Sequence, residues 1–150
     1  MPIGKKVLIV EDYPEMLELM SYLLENAGYN VAAATSGNQA LELIRTNHND
    51  KLSLILLDHS LPDMTSHEVI AQLRAENLCP QVPIVICSAM AELNMIELPE
   101  GVAGTLQKPF EIDSFLNTVA KYELLDTQQD ISALPISLNP SKAVSHISSH

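Results

Sequence analysis

Basic residues are scarce: eight Lys and Arg stand against nineteen Asp and Glu, giving a formal net charge of -11. The eight are scattered, so nothing could neutralise a row of phosphates, and a nucleic-acid-binding surface is excluded. Apolar runs long enough to span a bilayer are absent, and the run behind Met1-Pro2-Ile3-Gly4-Lys5-Lys6 is too short for a secretory leader. The expected setting is the cytoplasm, with no membrane insertion. Cysteines number two, Cys79 and Cys87, without metal-ligand spacing, so reduced thiols are expected, with Cys87 a buried small hydrophobe. Neither G-x-G-x-x-G nor G-x-x-x-x-G-K-[ST] occurs, so the usual phosphate cradles for dinucleotides and nucleoside triphosphates are missing. His48 and His67 show no i,i+4 or Cys/His pattern, and His146 and His150, though four apart, lie in a stretch without helical periodicity, which argues against a histidine metal site.

What is present fits one domain. The 150 residues, 47% of them hydrophobic, suffice for a single buried core. Its centre is Leu52-Ser53-Leu54-Ile55-Leu56-Leu57-Asp58, with the turn-forming residues His59-Ser60-Leu61-Pro62-Asp63 behind it. A short apolar run bounded by breakers reads as a strand buried on both faces, as in a parallel sheet. Asp58 then stands at its carboxyl end, the edge where open parallel sheets bind ligands, although a carboxylate there could equally cap the segment behind it.

Similar runs recur. Lys5 to Val10 ends in Glu11-Asp12, Tyr29 to Ala34 is a weaker strand, Ile84 to Cys87 ends at Ser88, and Val102 to Gln107 ends at Lys108-Pro109. Between them the spacing predicts helices. Pro14 to Gly28 carries Met16, Leu17, Met20, Leu23, Leu24 and Ala27. Ser36-Gly37 opens a helix with Ala40, Leu41 and Ile44 on one face, and Thr65 to Glu76 aligns Val69, Ile70 and Leu73. Asn47 to Lys51 is a polar turn, and Ala89 to Glu97 is at best a short helix, closed early by Pro99 and Gly101. Glu111 to Leu125 places Ile112, Phe115, Leu116, Val119 and Ala120 inward. Five strand–helix alternations with short connections predict a doubly wound α/β fold, a five-stranded parallel sheet with helices on both faces. The domain is expected over 1–125. Residues 126–150, Ser-rich with Pro135 and Pro140, read as a disordered tail in which Ile131, Leu134, Ile136 and Leu138 could dock.

Four strands therefore deliver polar groups to one edge: Glu11 and Asp12, Asp58, Ser88, and Lys108. Two carboxylates about 4 Å apart, at an effective dielectric of roughly 20, repel by about 4 kcal/mol. A hard divalent cation removes the conflict, and Mg²⁺ binds through one or two carboxylates, water and substrate oxygens. With a cation on Asp12 and Asp58, the free oxygen of Asp58 can act as a nucleophile toward a phosphoryl group. Lys108 would neutralise phosphoryl oxygens and Ser88 would donate a hydrogen bond to one, with aspartyl phosphate as product.

These stretches, Val7-Leu8-Ile9-Val10-Glu11-Asp12, Leu56-Leu57-Asp58 with Leu61-Pro62-Asp63-Met64, Ile86-Cys87-Ser88-Ala89 and Lys108-Pro109-Phe110, resemble in order the receiver domain of two-component response regulators, from residue 5 to about 123. The resemblance implies a flavodoxin-like strand order 2-1-3-4-5 and phosphoryl transfer to Asp58 from a histidine kinase or a histidine phosphotransfer protein. It implies Mg²⁺ on Asp12, Asp58 and the main-chain carbonyl of Ser60, with Glu11 holding a metal-bound water. Ser88 and Lys108 match the family's hydroxyl and lysine, and Lys108-Pro109 is implied to be cis. A phosphorylation-dependent dimer is left open.

Three departures stand out. Thr105 occupies the position three before the lysine where the family often has an aromatic switch, so output must travel by the loop after Ser88 or by Thr105 itself. The interval from Ser88 to Lys108 is shorter than is usual, which predicts a short or irregular fourth helix. Thr65-Ser66 replaces the usual Asp-Gly or Ser-Gly, and either residue can cap the third helix. His59 is expected as an exposed loop histidine without a role, and Met64, Met90 and Met95 as core packing or a docking surface.

The expected function is a stand-alone receiver that signals by contact with an unknown protein target, since the chain after residue 125 is too short for a further folded domain. It catalyses only its own phosphorylation and dephosphorylation. A phosphate sink for a kinase fits the same residues. A small phosphohydrolase working through an aspartyl phosphate is disfavoured because Ser60 stands where haloacid-dehalogenase-like enzymes place a second Asp. A binding module that kept only the fold is disfavoured by the intact acids, Ser88 and Lys108.

Overall fold

The computed structural model describes residues 5–46 and 51–128. Its centre is β3 (Leu52–Asp58), every residue of which is buried. Parallel strands flank it in the order β2-β1-β3-β4-β5: β1 (Lys6–Val10), β2 (Asn30–Ala34), β4 (Ile84–Ala89) and β5 (Gly104–Lys108). The helices are α1 (Pro14–Asn26), α2 (Gly37–Thr46), α3 (Ser66–Ala75), α4 (Met90–Leu93) and α5 (Ile112–Gln128). This is the doubly wound, flavodoxin-like fold that the sequence predicts.

Strand alternation divides the core in two. Leu8, Val10, Ile55, Leu57, Ile84 and Ile86 pack against Ala40, Leu41 and Ile44 of α2 and Val69, Ile70 and Leu73 of α3. On the other face Val7, Ile9, Leu54, Leu56, Val85, Cys87 and Leu106 meet Met20 and Leu24 of α1 and Phe115 and Val119 of α5. Burying a side chain of this size contributes about 1.5–3 kcal/mol, so the register of the strands is fixed by these two layers. In that register Val10 lies opposite Leu57, Asp58 opposite Cys87, and Ala89 opposite Lys108. The ends of β1, β3, β4 and β5 therefore come level.

Local signals set the helix ends. Pro14 occupies the start of α1, and Gly28 lies just past its end with φ of 99°, a conformation that favours glycine. Thr65 caps α3 in a capping box with Glu68, whose carboxylate accepts the Thr65 N–H. Asp63, legible in sequence only as a turn former, accepts the N–H groups of Gly37 at 2.9 Å and Asn38 at 2.8 Å, and so closes the start of α2. A Cβ at Gly37 would lie 2.3 Å from Met64 Cγ, so any larger residue there must displace the Met64 side chain. The loop behind Asp58 is thus clamped onto α2.

Several expectations change. β5 begins at Gly104, not Val102, whereas α4, a four-residue helix with no buried residue, is as short as the sequence predicts. α5 continues through Gln128, so the first three residues assigned to the tail are helical. Phe115 and Val119 are fully buried and Leu116 partly so, but Ile112 is 52% exposed and Ala120 is exposed. Met64 packs against the core, whereas Met90 is exposed and Met95 is 87% exposed. Residues 1–4, residues 47–50 of the expected turn with His48, and 129–150 with His146, His150 and the four apolar residues of the expected tail lie outside the described residues. Among the described residues no helix is long and apolar enough to cross a membrane.

Candidate functional site

The level strand ends gather the predicted acids. Glu11, Asp12 and Asp58 each offer a carboxylate oxygen, all within 4.8 Å of one another. Glu11 and Asp58 are buried and Asp12 is exposed. Alternation puts Glu11, Asp58 and Lys108 in phase with Ile9, Leu56 and Leu106, on the side of the sheet that α1 and α5 cover. Lys108 Nζ donates to Glu11 Oε1 at 2.7 Å and stands 3.4 Å from Asp58 Oδ1. The other oxygen of Glu11 accepts the Tyr13 N–H at 3.1 Å, which ties the start of α1 to the site. The Lys108-Pro109 bond is cis.

The electrostatics are unbalanced. Burial, reinforced by the charge of Glu11 and opposed by Lys108, pushes the Asp58 carboxyl up to about 7. Burial acts to lower Lys108, but its bond to Glu11 and the charge on Asp58 outweigh this and hold the ammonium above its ordinary value. One ammonium thus faces three carboxylates. The surplus charge, the all-oxygen donor set and the partial exposure of the cluster fit a hard divalent cation that keeps water and substrate oxygens in its shell.

Ser88 is placed differently. It is in phase with Ile84 and Ile86, so its side chain leaves the sheet on the α2 and α3 side. Fully buried, its hydroxyl donates to Glu92 Oε1 at 2.5 Å. Glu92 Oε2 accepts the Ser60 hydroxyl at 2.8 Å, and these two bonds, led by that of Ser88, lower the Glu92 pKa. Ser60 itself lies in the exposed loop after β3, in an isolated bridge with Thr65. Thr105 sits exposed in β5 opposite Ile86.

Glu92 does not stand out in the sequence as a site residue; its one signal is the i,i+4 spacing from Ser88, which a broken helix makes easy to overlook. His59 also departs from expectation. It is partly buried, its Nδ1 lies 2.7 Å from Ser66 Oγ, and its ring packs edge-on to His67 at 5.3 Å. His67 Nε2 in turn reaches the carbonyl of Glu97 at 2.5 Å. Cys87 is buried, which pushes its thiol up to about 12 and makes it inert.

A flavodoxin-like sheet whose carboxyl edge joins three acids to a lysine defines a receiver-type domain. A family model of the response regulator receiver domain matches residues 7–120, and the chain belongs to that family. It is 32% identical to the polar-differentiation response regulator DivK of Brucella abortus strain 2308, over 79% of this chain and 95% of that protein. It is 30% identical to sporulation initiation phosphotransferase F of Bacillus subtilis strain 168, over 79% and 94% of the two chains. Among solved structures, the chemotaxis response regulator CheY4 of Vibrio cholerae is 27% identical, with a TM-score of 0.70, over 79% of this chain and 98% of that one. A receiver domain from Methanospirillum hungatei, 24% identical with a TM-score of 0.71 over 83% and 98% of the chains, shares the fold. Receiver domains are signalling proteins that interact with histidine kinases or phosphotransfer proteins, and they typically bind Mg²⁺ at the acidic pocket.

Proposed function

We propose that the protein is a cytoplasmic single-domain response regulator that accepts a phosphoryl group on Asp58 from a phosphohistidine of a kinase or phosphotransfer protein. The observation that carries this reading is the convergence of Glu11, Asp12, Asp58 and Lys108. An oxygen of ionised Asp58 attacks phosphorus in line, the bond from phosphorus to the donor nitrogen breaks, and histidine leaves with that electron pair. Mg²⁺, held by Asp12, Asp58 and the Ser60 carbonyl with Glu11 on a bound water, would neutralise the phosphoryl oxygens and keep Asp58 ionised. Lys108, already 3.4 Å from Asp58, is positioned to follow the charge onto the phosphoryl group. Ser88 supplies a hydroxyl to the same group once it turns from Glu92. The phosphorylated face then engages a target protein.

The coverage of DivK and of the Bacillus phosphotransferase, 95% and 94% of their lengths, supports a receiver that works without a further domain. The second relative's designation as a phosphotransferase favours a variant in which Asp58 hands its phosphoryl group on.

Incubation with acetyl phosphate tests the assignment. One phosphoryl group should be gained by mass only when Mg²⁺ is present, and Asp58→Asn should gain none. Labelling of that variant to the wild-type level, or no Mg²⁺-dependent labelling of the wild type, overturns it.

A further inference from the structure

We propose that Glu92 is a positioning residue for phosphoryl transfer. Its carboxylate holds the hydroxyls of Ser88 and Ser60, so phosphorylation of Asp58 must take Ser88 from Glu92 and in doing so loosens α4. This rests on the assignment of Asp58 as phosphoacceptor.

A serine hydroxyl has one proton, and that of Ser88 is donated to Glu92 Oε1. It cannot be donated to a phosphoryl oxygen at the same time. Glu92 is therefore a competitor for the group that the phosphoryl site needs. Its second oxygen accepts from Ser60, two residues beyond Asp58, so one carboxylate bridges the end of β4 and the loop after β3. A phosphoryl group arriving beside that loop adds negative charge near this carboxylate while drawing Ser88 away. Attraction is lost and repulsion gained together.

The consequence falls on α4. It spans four residues, buries none of them, and has no side-chain cap, so it lacks the packing that holds the other helices. Its end is secured by N–H bonds from Asn94 to Met90 and from Met95 and Ile96 to Glu92. The hydroxyls of Ser88 and Ser60, both donating to Glu92, join this turn to the end of β4 and to the phosphoacceptor loop. Beyond the turn lie exposed Met95 and Leu98. Releasing Glu92 thus converts a charge at Asp58 into a change in an exposed apolar segment, with Thr105 exposed and taking no part.

The test is a double-mutant cycle on the rate of Mg²⁺-dependent labelling by acetyl phosphate, with wild type, Glu92→Ala, Ser88→Ala and the pair. Freeing Ser88 should speed labelling about threefold or more in Glu92→Ala, whereas in the Ser88→Ala background the same substitution should give no gain. An equal gain in both backgrounds would mean that Glu92 acts only as a remote charge, and no gain in either would mean no competition; both overturn the proposal. Amide hydrogen exchange supplies a second readout. The N–H groups of residues 94–96 should exchange faster in phosphorylated wild type, and as fast in unphosphorylated, metal-free Glu92→Ala. Unchanged exchange on phosphorylation overturns the link to α4. A wild type that takes no phosphate at all removes the Asp58 assignment and this role with it, whereas normal labelling without coupling removes only the role of Glu92.

Discussion

At the scale of single residues, the proposed role of Asp58 as phosphoacceptor sets stability against reactivity. Its carboxyl is raised to about 7 because burial and Glu11 disfavour the charge that a nucleophile must carry. A carboxyl whose folded pKa lies above its unfolded value contributes stability that is complete below about pH 4 and is lost as the pH rises through 7. Asn carries no such charge. Asp58→Asn should therefore match wild type in urea denaturation at pH 4 and exceed it by on the order of 3 kcal/mol at pH 8 without divalent metal. Adding Mg²⁺ at pH 8 should narrow the gap by stabilising wild type alone. An equal offset at both pH values would contradict the charge penalty. Asp58 is legible as a candidate site residue once the carboxylate ending its buried run is read together with the polar ends of the other strands, whereas the position of the Ser88 hydroxyl is not. Its partner Glu92 lies on a turn with no periodic pattern to reveal which way it faces.

At the scale of elements, the loop after β3 is fastened to the start of α2. Asp63 holds two N–H groups at the start of α2, and although burial acts to raise its pKa, those bonds keep it below the ordinary carboxylate value. Asp63→Ala should cost about 0.5–2 kcal/mol in chemical denaturation at pH 7, as loss of a helix cap does. A depressed carboxyl loses its contribution as the pH falls through its folded pKa, so the difference should shrink in acid. The same loss at pH 7 and in strong acid would show that the carboxylate charge plays no part. The sequence marks Pro62-Asp63 as a turn, but a cap reaching from one loop to a helix 25 residues earlier carries no local signal.

At the scale of the whole molecule, two apolar layers lock the strand ends level, and the site exists because they do. Phe115, fully buried and stacked on Phe110 at 4.8 Å, fills the layer beneath α5. Phe115→Ala should cost about 3–5 kcal/mol. Ile112→Ala should stay within about 0.5 kcal/mol, since the side chain is largely in water. Comparable losses in the two variants, measured by denaturant midpoints at constant slope, would contradict this packing. Both residues fit the same helical stripe in sequence; periodicity gives the direction of a face but not how far the sheet extends beneath the first turn.

The sequence by itself determined the order of strands and helices and the groups at the strand ends. A parallel strand buried on both faces needs an unbroken apolar run, so its polar residues can fall only at its limits. That constraint makes Glu11, Asp12 and Asp58 readable from the order of residues alone, whereas Lys108 ends the edge strand β5, where burial alternates. Only the tertiary structure decided that Lys108 bridges Glu11 toward Asp58, that Asp63 closes α2, that His59 rests on Ser66 and His67, and that Ser88 is held by Glu92. Each of these is a contact through space between polar side chains, set by register and packing that no residue spacing encodes.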